Sequence, residues 1–294
     1  MYNENKTKYK KMRKGDTTMA KITTLKLQEM KDKGEKISMT TAYDFPTACL
    51  VEQAGIEIIL VGDSLMMTVL GDDSTVACTM DQMIHHIKPV VLGAPTPMIV
   101  GDMPFGSYNI SKEQAIENAT RLMKEGRCDV IKLEGGKIIA DTVKAIVDAG
   151  VPVMGHIGLT PQTVSKLGGF KIQGKGDAAK DVLDDALALQ DAGAFAIVLE
   201  CVPEELGKLI TEKLTIPTIG IGGGRYTDGQ VLVFHDMVGL FEKFLPKFVK
   251  QYMNLAPEIV GALKTYKEEV KSGAFPEEKH TFGGVTEEEL KRLY

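Results

Sequence analysis

MIVGDMPFGSYNISKEQAIENATRLMKEGRCDVIKLE, residues 98–134, holds one complete repeat of the pattern that decides the fold. It opens on a short apolar run, Met98 to Gly101, and closes on another, Val130 to Leu133. Between them Lys112 to Glu125 carries Ala115, Ile116, Ala119, Leu122 and Met123 at helical spacing, with Ser111 placed to cap its start and Gly126 to stop it. A strand-length run, an amphipathic helix and a second run make a βαβ unit, which pairs its strands in parallel. The same alternation extends in both directions. Further runs are Ile37 to Tyr43, Ile56 to Val61, Val151 to Met154, Ala194 to Leu199, Ile216 to Ile221 and Val231 to Phe234. Gly55, Gly150 and Gly193 stand just before three of these runs, where a helix would end. Eight runs, several rich in Val and Ile without polar alternation, suit strands buried on both faces, so the expected fold class is α/β, a closed (β/α)8 TIM barrel.

With 294 residues, the chain has the length of one such barrel. Its 44% hydrophobic and 26% charged residues fit an ordinary globular protein, and a formal net charge of -5 gives no cationic footprint for nucleic acid. Cys49, Cys78, Cys128 and Cys201 are widely spaced without a C-x-x-C pair, as expected of reduced thiols in a cytoplasmic protein. No apolar stretch suits a signal peptide or a membrane span. Residues 1–18 carry six basic against two acidic side chains on a polar stretch and read as a disordered extension, or as the leader to a true start at Met19. Residues 19–294 read as a single barrel domain, with a charged helical appendage from about Pro257.

Parallel barrels place their chemistry at the C-terminal ends of the strands. There the second run gives Asp63 and Ser64, the third Asp102, the fourth Lys132 and Glu134, the fifth His156 and the sixth Glu200. One acid after a strand is as easily a helix N-cap; four at equivalent positions converge on one rim. Clustered carboxylates repel unless a proton or a hard cation sits among them, and an oxygen-rich site of this kind suits Mg²⁺. A 2-oxo acid could chelate such an ion, acidifying its neighbouring C–H and leaving a separate carboxylate as base. Lys132, two residues before Glu134 and on the same strand face, could hold a substrate oxygen or pair with Glu134. His156 could act as an acid or a hydrogen-bonding support. The adjacent His85 and His86 diverge on a helix and read as structural. Gly169 to Lys175 has Walker A spacing but no preceding strand and no following Ser or Thr, and reads as a flexible active-site loop; Gly220 to Arg225 lacks the last glycine of a dinucleotide fingerprint. Cys201 reads as packing.

The chain also resembles the ketopantoate (3-methyl-2-oxobutanoate) hydroxymethyltransferases, from about Lys21 to Phe282. The stretches that carry the likeness are MTTAYDFPTA (39–48), VGDSLMMTVLGDDST (61–75), KLEGG (132–136), GHIGLTPQ (155–162), GGFKIQGKG (168–176), VLECVP (198–203) and IGIGGGRYTDGQVLVFHDMVG (219–239). The resemblance implies a barrel like those of the phosphoenolpyruvate mutase and isocitrate lyase group, assembled as a homodecamer. It implies transfer of the one-carbon unit of 5,10-methylenetetrahydrofolate to 3-methyl-2-oxobutanoate with one Mg²⁺ per subunit, for pantothenate biosynthesis. It assigns Asp63, Asp102 and Glu134 to the metal, Asp63, Ser64, Asp102 and Lys132 to the keto acid, and Glu200 as the base, with His156 in support. The strand-seven loop departs from the family pattern at Gly223 and Arg225. The alternatives are a carbon–carbon lyase of the same barrel group, whose KKCGH-type loop is absent, and a silent barrel, whose mark would be lost acids.

Overall fold

A computed structural model describes residues 20–294; the expected N-terminal extension and the alternative start at Met19 lie outside the described residues. Eight parallel strands close into a barrel: β1 (Ile37–Thr41), β2 (Ile58–Val61), β3 (Met98–Asp102), β4 (Val130–Glu134), β5 (Val153–Gly158), β6 (Ala196–Glu200), β7 (Thr218–Ile221) and β8 (Gly229–Leu232). Each pairs with its neighbour in sequence, and β8 closes on β1 with Ile37 opposite Gly229. The (β/α)8 expectation is met.

Strand alternation sorts the side chains into two layers. Ile58, Leu60, Met98, Val100, Val130, Met154, Ala196 and Val198 join Leu27 and Met30 of the helix Thr24–Asp32 in one buried cluster, the barrel interior. Their alternates Ile59, Val61, Ile99, Ile131, Leu133, Ile157, Ile197 and Leu199 pack with the surrounding helices in the other. The same parity fixes the site. Asp102 follows Met98 and Val100 on the inward face, Lys132 and Glu134 follow Val130, His156 follows Met154, and Glu200 follows Ala196 and Val198. An apolar stem and a polar tip on one strand face thus give a dry lower barrel and a charged rim.

Three local readings differ from the sequence expectation. The helix after β3 is regular only over Lys112–Arg121, then widens into a π-turn, Leu122–Gly126, and the left-handed residue that ends it is Arg127 (φ 68°). Gly126 is there for space, since a Cβ would lie 3.1 Å from Ile87 Cγ2. β8 starts two residues before its apolar run, at Gly229, where a side chain would strike the Ile37 carbonyl oxygen and Ile219. Between β7 and β8 residues 222–228 contain no helix; Gly222 (φ 65°) and Gly224 (φ 83°) turn the chain directly into the last strand. Ser111 caps its helix as expected, accepting from Gln114 N at 3.2 Å.

The chain divides into two compact units, one running to Phe234 with Pro246–Val249, the other formed by His235–Leu245 and Lys250–Tyr294. The second holds the 18-residue helix Leu255–Ser272, ended by Gly273 at φ 76°. No described helix is long and apolar enough to cross a membrane. Cys78, Cys128 and Cys201 form no disulfide among the described residues.

Candidate active site

The strand ends bring Asp63, Asp102, Lys132, Glu134 and His156 into one buried group, none more than 5% exposed, with Glu200 beside it. Register sets the contacts. Asp102 faces Lys132 across β3 and β4, and the Lys132 ammonium donates to Asp102 Oδ1 at 2.6 Å while lying 3.8 Å from Glu134 Oε1. Glu134 faces His156 across β4 and β5. The imidazole is held between two carboxylates, Nδ1 at 3.3 Å from Glu134 Oε1 and Nε2 at 3.1 Å from Glu200 Oε2. These are ion-pair contacts without hydrogen-bond alignment. Asp63, one residue beyond Gly62 at the end of β2, donates its backbone N–H to Asp102 Oδ2 at 3.2 Å. Tyr43 is hydrogen-bonded to the Ser64 hydroxyl at 2.7 Å, which fixes the serine on the same rim.

Burial acts on every charge here, and the neighbours decide the outcome. Asp63 is pushed well above the ordinary carboxylate range by burial and by the charges of Asp102 and Glu134. Asp102 is also raised by burial, although Lys132 opposes the shift. Glu134 goes the other way: burial would raise it, but His156 and Lys132 outweigh burial and hold it ionised. Burial would lower Lys132, yet Asp102, Glu134 and Asp63 keep it above its usual value. His156, which burial alone would deprotonate, is carried up to about 9 by Glu134 and then Glu200. Near neutral pH the group therefore holds two protonated cations among carboxylates.

Among the described residues no three His, Cys, Asp or Glu side chains are already arranged as ligands around one point. Glu134 is engaged by His156, Lys132 and the backbone N–H of Gln162, as Asp102 is by Lys132 and the backbone N–H of Asp63. Asp63 and Asp102 are both raised in pKa and are linked through one backbone hydrogen bond.

Sequence reasoning missed Gln162 and Tyr108. Gln162, in the turn Pro161–Thr163 after β5, donates from Nε2 to Asp63 Oδ2 and to the Met103 carbonyl, both at 3.0 Å. The Tyr108 hydroxyl donates to Gln162 Oε1 at 2.6 Å and accepts from the Glu134 N–H at 3.2 Å. GHIGLTPQ contains Gln162, but only the fold shows what it touches. Of the remaining motifs, His86 Nδ1 is hydrogen-bonded to the Tyr43 carbonyl at 2.8 Å, which bears out its structural reading. Arg225 is exposed and pairs with Glu204 at 3.0 Å, tying the strand-seven glycine turn to the helix Glu204–Lys213. An open groove of about 580 Å³, lined by residues that include Lys36, Ser38, Gly224, Arg225, Gln230 and Phe248, lies at the same turn. Lys36 and Gln230 are already spent there on the Thr227 and Gly224 carbonyls.

Glu200 owes its position to two backbone features. Cys201 follows it in the left-handed region (φ 48°), a strained conformation for a side chain other than glycine, and receives the Gln173 N–H on its carbonyl at 2.9 Å. Gly158 (φ 90°) lies across from Glu200, and a methyl group there would run into the Glu200 carbonyl oxygen, which accepts from Leu159 N–H at 2.8 Å. Gly158→Ala is therefore expected to cost about 1–3 kcal/mol of stability, the range for a strained backbone site, and to displace Glu200. Denaturant melts together with turnover check this; a variant as stable and active as the parent would contradict the close approach.

Comparison with solved structures places the barrel in its class. Phosphonopyruvate hydrolase, solved with oxalate and Mg²⁺, superposes with a TM-score of 0.59 at 13% identity over 94% of this chain and 95% of that one. 2,3-Dimethylmalate lyase, of the phosphoenolpyruvate mutase and isocitrate lyase superfamily, does so with 0.56 at 14% identity over 92% and 94%. At such identities the likeness concerns the fold alone, a closed barrel of eight parallel strands. The sequence goes further: the family model of ketopantoate hydroxymethyltransferase matches residues 21–278. The 3-methyl-2-oxobutanoate hydroxymethyltransferase of Heliobacterium modesticaldum is 59% identical over 93% of this chain and 99% of its own length. That of Syntrophomonas wolfei is 57% identical over 94% and 100%. The chain belongs to the ketopantoate hydroxymethyltransferase family, and is a transferase.

Proposed function

We propose that this enzyme transfers the one-carbon unit of 5,10-methylenetetrahydrofolate to 3-methyl-2-oxobutanoate, giving 2-dehydropantoate and tetrahydrofolate, with one Mg²⁺ per subunit. The observation that carries the reading is the charge of the rim. Asp63, Asp102, Glu134 and Glu200 contribute four negative charges when ionised, Lys132 and protonated His156 two positive ones, and a divalent cation would bring the balance to zero. The donor chemistry fits as well, since Mg²⁺ uses carboxylates and keeps its other positions for water or substrate oxygens. Asp63 and Asp102 would hold it, together with Glu134, which His156 and Gln162 fix in place. When bound, Mg²⁺ supplies stabilisation for negative charge developing on the keto acid's oxygens.

The chain's own groups do the rest. Lys132 offers an ammonium to a substrate oxygen, and Asp63, Ser64 and Asp102 line the same pocket. Glu200 removes the C3 proton, its Oε2 steadied by the His156 imidazolium. The electron pair left on C3 forms the bond to the methylene carbon, both carbon–nitrogen bonds of the methylene bridge break, and one water supplies the product's hydroxyl, its remaining proton and the one taken from C3 ending on the two folate nitrogens. The glycine-rich stretch 168–176 is anchored to the residue after Glu200 through the Gln173 hydrogen bond and is placed to screen the site. A decameric assembly in the cytoplasm completes the reading by family likeness.

The direct test is conversion of 3-methyl-2-oxobutanoate by the purified protein with methylenetetrahydrofolate, with and without EDTA. Metal-dependent formation of 2-dehydropantoate is expected; cleavage to smaller oxo acids, or no reaction with folded metal-loaded protein, would overturn the reading.

A pH signature follows from the two raised aspartates. Without metal they hold protons to higher pH in the fold than in the unfolded chain, so their stabilising contribution is present at low pH and lost as pH rises through the raised values. The ionised pair is the form that would hold Mg²⁺, so those protons would be released on binding. The rise in Tm on adding Mg²⁺ should therefore grow with pH across that interval, as thermal melts with and without EDTA would show. A pH-independent rise would contradict it.

A further inference from the structure

We infer that Gln162 is a positioning residue for the cation and keto-acid pole of the site, acting through Asp63 and aimed by Tyr108; this rests on the reading of Asp63 as a cation ligand. Gln162 is buried, 3% exposed, in a single turn of 3₁₀ helix. Every polar group of its amide is used. Nε2 gives its two protons to Asp63 Oδ2 and the Met103 carbonyl, Oε1 receives the Tyr108 hydroxyl, and the backbone N–H goes to Glu134 Oε2 at 3.0 Å. The amide can take only this orientation. Turned over, its oxygen would face a carboxylate and a carbonyl, and its NH₂ the tyrosine oxygen.

A buried amide is costly unless satisfied, and an apolar side chain would fill the same volume without that requirement. What the amide adds is a direction for Asp63. Asp102 is oriented by Lys132, a full positive charge at 2.6 Å. Asp63 is oriented instead by a neutral donor, which fixes Oδ2 without cancelling the charge that a cation needs. A second lysine at this place would compete with the ion. Gln162 also binds the two acids into one body, because its side chain holds Asp63 while its backbone holds Glu134, itself against His156 and thence Glu200. A continuous line of contacts thus runs from the cation pole to the proposed base. Such supporting contacts to ligating carboxylates are worth about 10–100-fold in metal affinity or activity.

The test uses full-length, metal-free protein and titration calorimetry with Mg²⁺, alongside kcat and KM for 3-methyl-2-oxobutanoate. Gln162→Met keeps the volume and removes the donors; Tyr108→Phe keeps the ring and removes the group that aims the amide. Gln162→Met is expected to raise the Mg²⁺ Kd about 10- to 100-fold and to raise KM for the keto acid more than it lowers kcat at saturating Mg²⁺. Tyr108→Phe is expected to shift both severalfold in the same direction, and it decides the matter by itself if the methionine variant does not fold. Folded variants with Mg²⁺ Kd and KM within twofold of the parent would overturn the inference. Asp63→Asn serves as the control on the underlying reading: if it binds Mg²⁺ as the parent does, or if the parent binds none, that reading fails and the inference with it.

Discussion

Glu200→Gln is expected to slow exchange of the C3 hydrogen of 3-methyl-2-oxobutanoate in D₂O by about 10³-fold, within the 10²–10⁴ that a positioned general base contributes. The side chain ends β6 on the inward face, 14% exposed, where it can meet a substrate and yet stay screened from bulk water. Glutamine keeps its length and shape, so Asp63, Asp102 and Lys132 should be undisturbed, and the affinity for Mg²⁺ should stay within about twofold. His156 would lose one of its two carboxylates but keep Glu134, the stronger influence on its proton. The combination discriminates. A variant that binds Mg²⁺ normally and fails to exchange places the defect at proton removal; one that loses Mg²⁺ as well would show that Glu200 belongs to the cation site. Proton NMR of the C3–H signal reads the first quantity and calorimetry the second. Undiminished exchange would remove Glu200 from the role of base.

How much of this was legible in the sequence depends on which physical signal carried it. Strand parity carried most: once Met98, Val100 and Val130 are taken as barrel interior, Asp102, Lys132 and Glu134 must face the same way. His156 is the instructive case. The apolar run stops at Met154, but β5 continues through Gly155, His156 and Ile157 to Gly158, because Ile157 still packs outward and the ladder to β6 reaches Gly158 opposite Glu200. A buried histidine between two carboxylates therefore belongs to the sheet itself. Gln162 and Tyr108 carry no such signal. They stand in a turn and a loop without period, and their meeting spans 54 residues of sequence. The absent helix between β7 and β8 was hidden for a related reason: a triple glycine reads as a turn but does not say that the next strand follows at once.

Lys132→Met should produce the largest loss of stability among single changes at this rim. Removing one partner of a buried ion pair costs about 3–5 kcal/mol because the other charge is left uncompensated, and here Lys132 answers to Asp102 at 2.6 Å and Glu134 at 3.8 Å. Both acids are almost wholly out of solvent, with side chains 1% and 2% exposed. Bond length does not make the difference. Lys144 and Asp148 approach to 2.8 Å, but at 62% and 61% exposure that pair is worth about 0.2–0.5 kcal/mol, and the same substitution there should scarcely register. The deficit at Lys132 should also depend on conditions in a way that cavity effects do not. Lowering the pH lets Asp102 and Asp63 take up protons and relieves the uncompensated charge, and Mg²⁺ does the same without a proton. Urea unfolding of Lys132→Met against the parent should thus show a gap of several kcal/mol near neutral pH in EDTA, narrowing at acid pH and again with saturating Mg²⁺. Methionine nearly fills the lysine's volume, so a gap that stayed constant across all three conditions would point to packing, and the charge balance proposed for the rim would have to be abandoned.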